Sequence, residues 1–234
     1  MECSTTKENL LTPIHRLTKV EIVKMARGRC QHGHTYLQHP QCYWRETGME
    51  PKVGCFDIET TWANFKADTS HLLSYAIKTV GKDELVTGLL RKEDLEDTRG
   101  REDKRLIKEL LKDLRAYDMI ITFYGKRFDA TFIRTRALIN GVKFPGYGSL
   151  QHVDVYDIVK HKFSIRPCSQ ENACKQLVGT AKKIHPGHLC WRNASRGDAK
   201  ALQVILKRNI SDVLDLEQLW LKVRDFARKN DTSI

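Results

Sequence analysis

The stretch "KVGCFDIETTW", residues 52–62, decides how the chain is read. Its valine, cysteine, phenylalanine and isoleucine are the makings of a buried strand, yet it carries two acids, Asp57 and Glu59. Residues two apart in a strand face the same way, roughly 6.6 Å apart at about 3.3 Å per residue. Asp57 and Glu59 therefore project from one face near the strand's end, with Phe56 and Ile58 on the other. A carboxylate in an apolar interior is costly unless something pairs with it. A hard divalent cation is one such partner, because its charge offsets both carboxylates at once.

Working outward, "KVGCFDIET", "HLLSYAIKTV" and "DELVTGLL" alternate in the manner of three successive strands with short connections, a meander. The charged stretch "RKEDLEDTRGREDK" interrupts as a solvated loop or helix end. "DKRLIKELLKDLRAY" then spaces Leu106, Ile107, Leu110, Leu111 and Leu114 at helical intervals. A strand "DMIITFY" follows, then a helix "DATFIRTRALIN" closed by Gly141. "QHVDVYDIV" begins as a strand and turns helical. Helices are expected around residues 169–178 and across "GDAKALQVILKRNISDVLDLEQLWLKVRDFARK", the latter as two helices or one kinked one. Strands first, then alternating helices and strands, predict an α/β fold with a mixed sheet: a three-strand antiparallel meander plus parallel strands, flanked by helices.

Residues 1–50 read as an appendage to a main domain over 51–234. "TKVEIVKMARGRC" sets Thr18 and Glu21 in capping-box spacing and predicts a short helix. It runs into "CQHGHTYLQHPQC", which packs Cys30, His32, His34, His39 and Cys42 into thirteen residues. Zinc takes four N or S ligands in a tetrahedron, and Cys30, one of His32 or His34, His39 and Cys42 supply such a set. Small appendages without a core commonly need such a staple. A second group, His185, His188 and Cys190 in "KIHPGHLCW", lacks a nearby fourth ligand and reads as a loop packing Trp191 inward.

Composition narrows the partners. Of 234 residues, 41% are hydrophobic and 29% charged, the balance of a globular chain. No apolar run approaches the roughly 20 residues that span a bilayer, and the start lacks a basic-then-apolar signal pattern, so a cytoplasmic setting without a membrane partner is expected. Seven scattered cysteines, an odd number, argue for thiols rather than a disulfide framework. A formal charge of +11 favours polyanionic partners, nucleic acid first among them.

Two further acids complete the pattern. "ITFYGKRFDATFI" places Asp129 after an apolar strand and a Gly turn, at a helix start. "NISDVLDLEQLW" places Asp212 on a helix beside the apolar stripe of Ile205, Val213, Leu216 and Trp220, with Asp215 and Glu217 expected at the solvent. Taken in order, "FDIET", "GKRFDATFI" and "NISDVLDLEQLW" resemble the three acidic motifs of the DEDD 3′→5′ exonucleases of the RNase H-like superfamily. The resemblance runs over roughly residues 52–223 and is strongest to predicted exonucleases of the polymerase-B proofreading type. It implies an RNase H-like fold and four acids, Asp57, Glu59, Asp129 and Asp212, binding two Mg²⁺ or Mn²⁺ ions. It also implies a terminal phosphodiester as the bond attacked, on single-stranded ends of DNA or RNA.

The chain departs from that family at one place. The positions four and five before the last acid, usually Tyr or His, hold Arg208 and Lys207. Neither is a good general base at neutral pH. His152 and His161 are candidate substitutes, and Arg208 is alternatively a grip on the scissile phosphate. Asp154 also falls where the family often has an acid, and reads best as a strand-end residue bonded to backbone. Lys126, Arg127, Arg134 and Arg136 cluster around Asp129 as phosphate contacts. Tyr124, Trp62 and Phe65 are candidates for stacking terminal bases. Three functions follow: a 3′→5′ exonuclease, a weak or inactive nucleic-acid-binding module of the same fold, and an endonuclease or RNase H-type activity.

Overall fold

The computed structural model describes residues 19–38, 40–48, 51–61, 66–96, 99–146 and 150–227. Thr18, His39, Trp62 and Phe65 lie outside these. Strand β1 (Val53–Thr60) has β2 (Leu72–Thr79) on one side and β4 (Met119–Thr122) on the other; β3 (Leu85–Leu89) flanks β2 and β5 (Gln151–Asp154) flanks β4. The sheet order is therefore β3-β2-β1-β4-β5. β1, β2 and β3 pair antiparallel, whereas β4 and β5 run parallel to β1. This is the expected mixed sheet, with the acid-bearing strand at its centre.

Alternation along β1 sends its side chains to two cores. Phe56 and Ile58 join Leu106, Ile107, Leu110 and Leu114 of α3 (Lys104–Leu114) and Phe132 and Ile133 of α4 (Asp129–Ile139). Val53 and Cys55 join Val155, Ile158 and Val159 of α5 (Val155–Lys162) and Val213, Leu216, Leu219 and Trp220 of α8 (Ala199–Val223). Between these lie α6 (Gln170–Ala173), one π-turn over Cys174–Val178, and α7 (His188–Ala194). α1 (Lys19–Arg27) and α2 (Pro40–Thr47) enclose a third, small cluster of Met25, Cys30, Tyr36, Cys42 and Tyr43. On the outer strand, Gly88 faces Tyr75 across the ladder, and a Cβ there would lie 2.0 Å from the ring. Its absence lets Tyr75 lie over β3 and reach Asp113 at 2.6 Å.

Three local expectations are corrected. The run expected as two helices or one kinked one forms, from Ala199 to Val223, one continuous helix of 25 residues, because buried Leu202, Ile205, Asn209, Asp212, Leu216, Leu219 and Val223 keep a single stripe along it. The loop expected around Trp191 is α7, which does turn Trp191 inward. Asp215 and Glu217 are buried: Asp215 accepts the Lys182 backbone N–H at 2.7 Å, and Glu217 accepts that of Gly81 at 2.8 Å beside the Lys78 ammonium at 3.4 Å.

Arg136 is also not a phosphate contact. Its guanidinium is 3% exposed and bonds the fully buried Asp103 at 2.7 and 2.8 Å. Asp103 accepts the Leu72 N–H at 2.8 Å and an Asn140 Nδ2–H at 2.8 Å, so one carboxylate ties α3, α4 and β2 together. Removing one partner of a buried pair strands the other's charge and costs about 3–5 kcal/mol. Arg136→Ala should therefore lower Tm by roughly 6–20 °C; a thermal melt within 2 °C of wild type would show that the pair carries no such share.

Candidate active site

The acids meet at the carboxyl ends of the parallel strands. Asp57 faces Ala76 across the β1–β2 ladder and Glu59 faces Ser74, small residues that leave room for α8 on that side. The ladder slips between Glu59 and Thr60, a bulge of the kind that re-aims side chains beside sites. α8 packs over this face, and Asp212 lies midway along it. One ligand atom from each of Asp57, Glu59 and Asp212 lies within 4.8 Å of the others. Asp129 approaches from the first turn of α4, where its Oδ1 accepts the Ile58 N–H at 3.1 Å. It adjoins the three-acid cluster through β1 and lies outside the set that shares the 4.8 Å spacing.

The cluster is only partly neutralised. Arg208 Nε donates to Glu59 Oε1 at 2.5 Å, and its NH2 lies 3.5 Å from Asp212 Oδ2. Lys183 Nζ lies 3.6 Å from the same Asp212 oxygen. Asn209 Nδ2 donates to Asp57 Oδ2 at 2.6 Å, and Ser74 Oγ donates to Asn209 Oδ1 at 3.2 Å. Among the described residues two cations thus stand against four carboxylates, and Asp212 Oδ1 is buried without a hydrogen-bond partner. Burial, then the charges of Asp129, Glu59 and Asp212, hold Asp57 well above the usual carboxylate range. Burial pushes Glu59 up to about 7 against the pull of Arg208, and Asp129 up to about 7 against its backbone hydrogen bonds. Asp212 is raised by burial, with Lys183 and Arg208 opposing. An all-oxygen set with an orphaned buried acceptor and a deficit of positive charge fits a hard divalent cation.

The other expected residues fall as follows. Arg208 spends its donors inside the site, with NH1 on the Ile184 carbonyl at 2.7 Å. Lys207 is exposed. His152 bonds Thr122 Oγ1 at 2.7 Å, and His161 bonds the Asp157 carbonyl of its own helix at 2.7 Å. Lys126 and Arg127 are exposed and pair with Asp157 at 3.4 and 2.8 Å. Arg134 is exposed, with its guanidinium 5.4 Å from the Phe144 ring centre. Asp154 accepts backbone N–H groups of Tyr124, Lys126 and Tyr156, as a strand-end acid does. Asn209 and Lys183 were not singled out for the site; Asn209 sits three residues before Asp212, on the same helix face.

In the N-terminal cluster, Cys30, His32 and Cys42 come together. His32 Nδ1 lies 3.6 Å from Cys30 Sγ and 3.4 Å from Cys42 Sγ. Zinc bonds of about 2.3 Å to sulfur and 2.05 Å to nitrogen at a tetrahedral angle put S and N roughly 3.6 Å apart. The spacing fits the metal. His34 lies outside this set, its carbonyl accepting the Cys30 N–H at 2.9 Å. His185 instead faces Glu171 at 3.2 Å and Cys190 points at the Ala201 carbonyl, so that group forms no metal cluster among the described residues.

The raised carboxylates fix a sign for pH. Folded Glu59 keeps a proton to about 7, whereas an unfolded one releases it near 4.5. The folded state thus binds more protons between those values, and the stability this supplies is lost as pH rises through about 7. Asp57→Asn removes one repelling charge, so its stability in urea should exceed that of metal-free wild type by a margin that widens from pH 5 to pH 8. A constant or shrinking margin would contradict this electrostatic account.

A model of the RNase_H superfamily, RNase_H_2, matches residues 54–223. Among solved structures, the chain is similar to the family B DNA polymerase from the hyperthermophilic archaeon Pyrobaculum calidifontis, with a TM-score of 0.56 and 18% identity. That likeness is one of fold; it covers 76% of this chain and 27% of the polymerase chain. No curated protein matches the sequence. Among the described residues, no helix is long and apolar enough to cross a membrane.

Proposed function

Because the chain belongs to the RNase H superfamily, whose model spans 170 of its 234 residues (54 to 223 inclusive), we propose that it is a metal-dependent nuclease. Its reaction is 3′→5′ exonucleolytic hydrolysis of single-stranded DNA or RNA ends. One observation carries this reading: Asp57, Glu59 and Asp212 converge within 4.8 Å with an unpartnered buried oxygen on Asp212. Asp57, Glu59 and Asp212 are the residues to hold Mg²⁺ or Mn²⁺, with Asp129 beside them. When bound, such ions lower the pKa of a water for in-line attack on phosphorus and stabilise the departing 3′-oxygen. The chain's own part is to orient the acids. Asn209 fixes Asp57, Arg208 holds Glu59, and Lys183 offsets Asp212.

The position usually held by a general base is filled by Arg208, whose guanidinium is bonded to Glu59. That bond favours slow turnover, since general-base help is worth about 10²–10⁴ in rate. It also supports the second reading, a module that binds nucleic acid without cutting it. Release of mononucleotides from a labelled single strand, dependent on Mg²⁺ or Mn²⁺, should fall more than about 100-fold in Asp57→Ala and Asp212→Ala. Binding without metal-dependent release by wild type across pH 6–9 would favour the second reading. Cleavage of circular strands would point instead to endonuclease action.

In the same proposal residues 1–50 form a zinc-stapled extension to a nuclease domain over 51–234. Cys30, His32 and Cys42 supply three ligands and His39, outside the described residues, the fourth. Thiolate ligands suit a reducing, cytoplasmic setting. The purified protein should carry one zinc per chain by elemental analysis. Cys42→Ala should lose that zinc and expose the 19–48 segment to protease while leaving the main thermal transition in place. Retention of full zinc by Cys42→Ala would exclude this ligand set.

A further inference from the structure

Arg208 holds Glu59, and the manner of the hold differs from that of Arg136. Arg136 grips a single carboxylate, Asp103, with both Nε and NH2, and also bonds the Ala67 and Gly100 carbonyls. Arg208 is instead spread over two carboxylates. Its Nε donates to Glu59 Oε1 at 2.5 Å, its NH2 lies 3.5 Å from Asp212 Oδ2, and its NH1 donates to the Ile184 carbonyl at 2.7 Å. Neither acid is met by two parallel arms of the fork, the geometry that makes an arginine–carboxylate pair strong. The guanidinium lies 5.9 Å from the Trp191 ring centre, at the outer limit of a cation–π contact. Its side chain is 17% exposed against 3% for Arg136, so water reaches part of it.

The two acids that Arg208 spans belong to the set suited to a divalent ion. Glu59, Asp212 and Asp57 each offer a ligand atom within 4.8 Å of the others. A guanidinium against two of these acids takes up the charge that such an ion would neutralise, and it repels an ion approaching both. Its single charge leaves Asp57 to the neutral amide of Asn209 at 2.6 Å. The segment bearing Ile184 does not depend on the contact either. Asp215 still accepts the Lys182 N–H at 2.7 Å, and Ser211 Oγ still donates to the Lys182 carbonyl at 2.6 Å. Arg208 can therefore swing away at the loss of one carbonyl bond, with α8 and that segment still joined.

We propose that Arg208 is a resident counter-ion that a divalent cation displaces from Glu59 and Asp212, so that the arginine sets how tightly the site takes up metal. The proposal rests on the nuclease reading for what the loaded site then does. Metal uptake is a competition: the apparent affinity falls by the fraction of molecules in which Glu59 is free of the guanidinium. A residue that positioned Glu59 for the ion would act in the opposite sense, and its loss would weaken uptake. The sign of the change separates the two roles.

The test measures Mn²⁺ uptake by electron paramagnetic resonance of the free ion, on zinc-replete protein without nucleic acid. Arg208→Gln should bind Mn²⁺ roughly 10- to 100-fold more tightly than wild type, the share expected of one hydrogen bond to a charged group. Lys207→Gln, which removes the same charge from an exposed neighbour on α8, should stay within about twofold of wild type. Unchanged or weaker uptake by Arg208→Gln, an equal gain in Lys207→Gln, or no uptake by any of the three overturns the proposal. Should Arg208→Gln fail to fold, the wild type still decides, through the Nε–H resonances of ¹⁵N-labelled arginine during a Mg²⁺ titration, with Arg208→Lys assigning the signal. The Arg208 resonance should lose its hydrogen-bonded shift at saturation. Those of Arg105 and Arg136, bonded to Asp94 and Asp103, should not move. An Arg208 signal unchanged by saturating Mg²⁺ overturns the displacement. Displacement without hydrolysis of a labelled strand leaves the counter-ion standing and removes the nuclease reading; hydrolysis with Arg208 still bonded to Glu59 does the reverse.

Discussion

Everything at the candidate site depends on holding like charges together where water is scarce. Asp57, Glu59, Asp129 and Asp212 come from β1, α4 and α8, and each is drawn upward in pKa by burial. Left alone they would repel, protonate or push the elements apart. The fold resists through rigid parts: a central strand locked on both sides, a helix packed across its face, and a network of fixed donors. The two apolar cores on either side of the sheet supply the stabilisation that this arrangement costs. The site is therefore a locally unfavourable arrangement carried by a favourable surround, as functional sites commonly are.

The donors around it divide the work in a particular way. Arg208 is bonded to Glu59 and close to Asp212, Lys183 lies close to Asp212, and Asn209 is bonded to Asp57. Lys183 is delivered by a segment that α8 itself secures. Lys182 N–H is bonded to Asp215, the Lys182 carbonyl to Ser211 Oγ, and the Ile184 carbonyl to Arg208. One helix thus carries an acid of the cluster, an amide that orients another, and the anchors of a neutralising lysine. Where the resemblance implies a tyrosine or histidine, this chain carries an arginine that bonds Glu59 and lies beside Asp212.

Much of this was legible before any coordinates. A period of two placed Asp57 and Glu59 on one face because a pleat permits nothing else, and the apolar stripe of α8 located Asp212 at its border. The meander and the later parallel strands followed from alternation and segment order. What was not legible depended on partners distant in sequence. Asp215 and Glu217 looked solvated beside an apolar stripe, yet they cap backbone amides at Lys182 and Gly81. Arg136 looked like part of a basic patch and is the counter-ion of Asp103, thirty-three residues away. α7 is seven residues long, too short for helical periodicity to declare itself. The metal-type cluster at Cys30, His32 and Cys42 was visible as composition, but which histidine joins the two sulfurs needed the turn geometry.

The continuity of α8 has a consequence for the order of events during synthesis. Asp212, two of the three fixed donors around the acids and the anchors of the third all come from the final quarter of the chain. The sheet that carries Asp57 and Glu59 is complete by Asp154, but the face that α8 covers stays open until residues 199–223 have left the ribosome. Until then Asp57 and Glu59 lack both the covering helix and the donors it carries. The charge-crowded centre comes into being only when the last long helix closes over it, at a stage when the rest of the domain is already present to bear the strain.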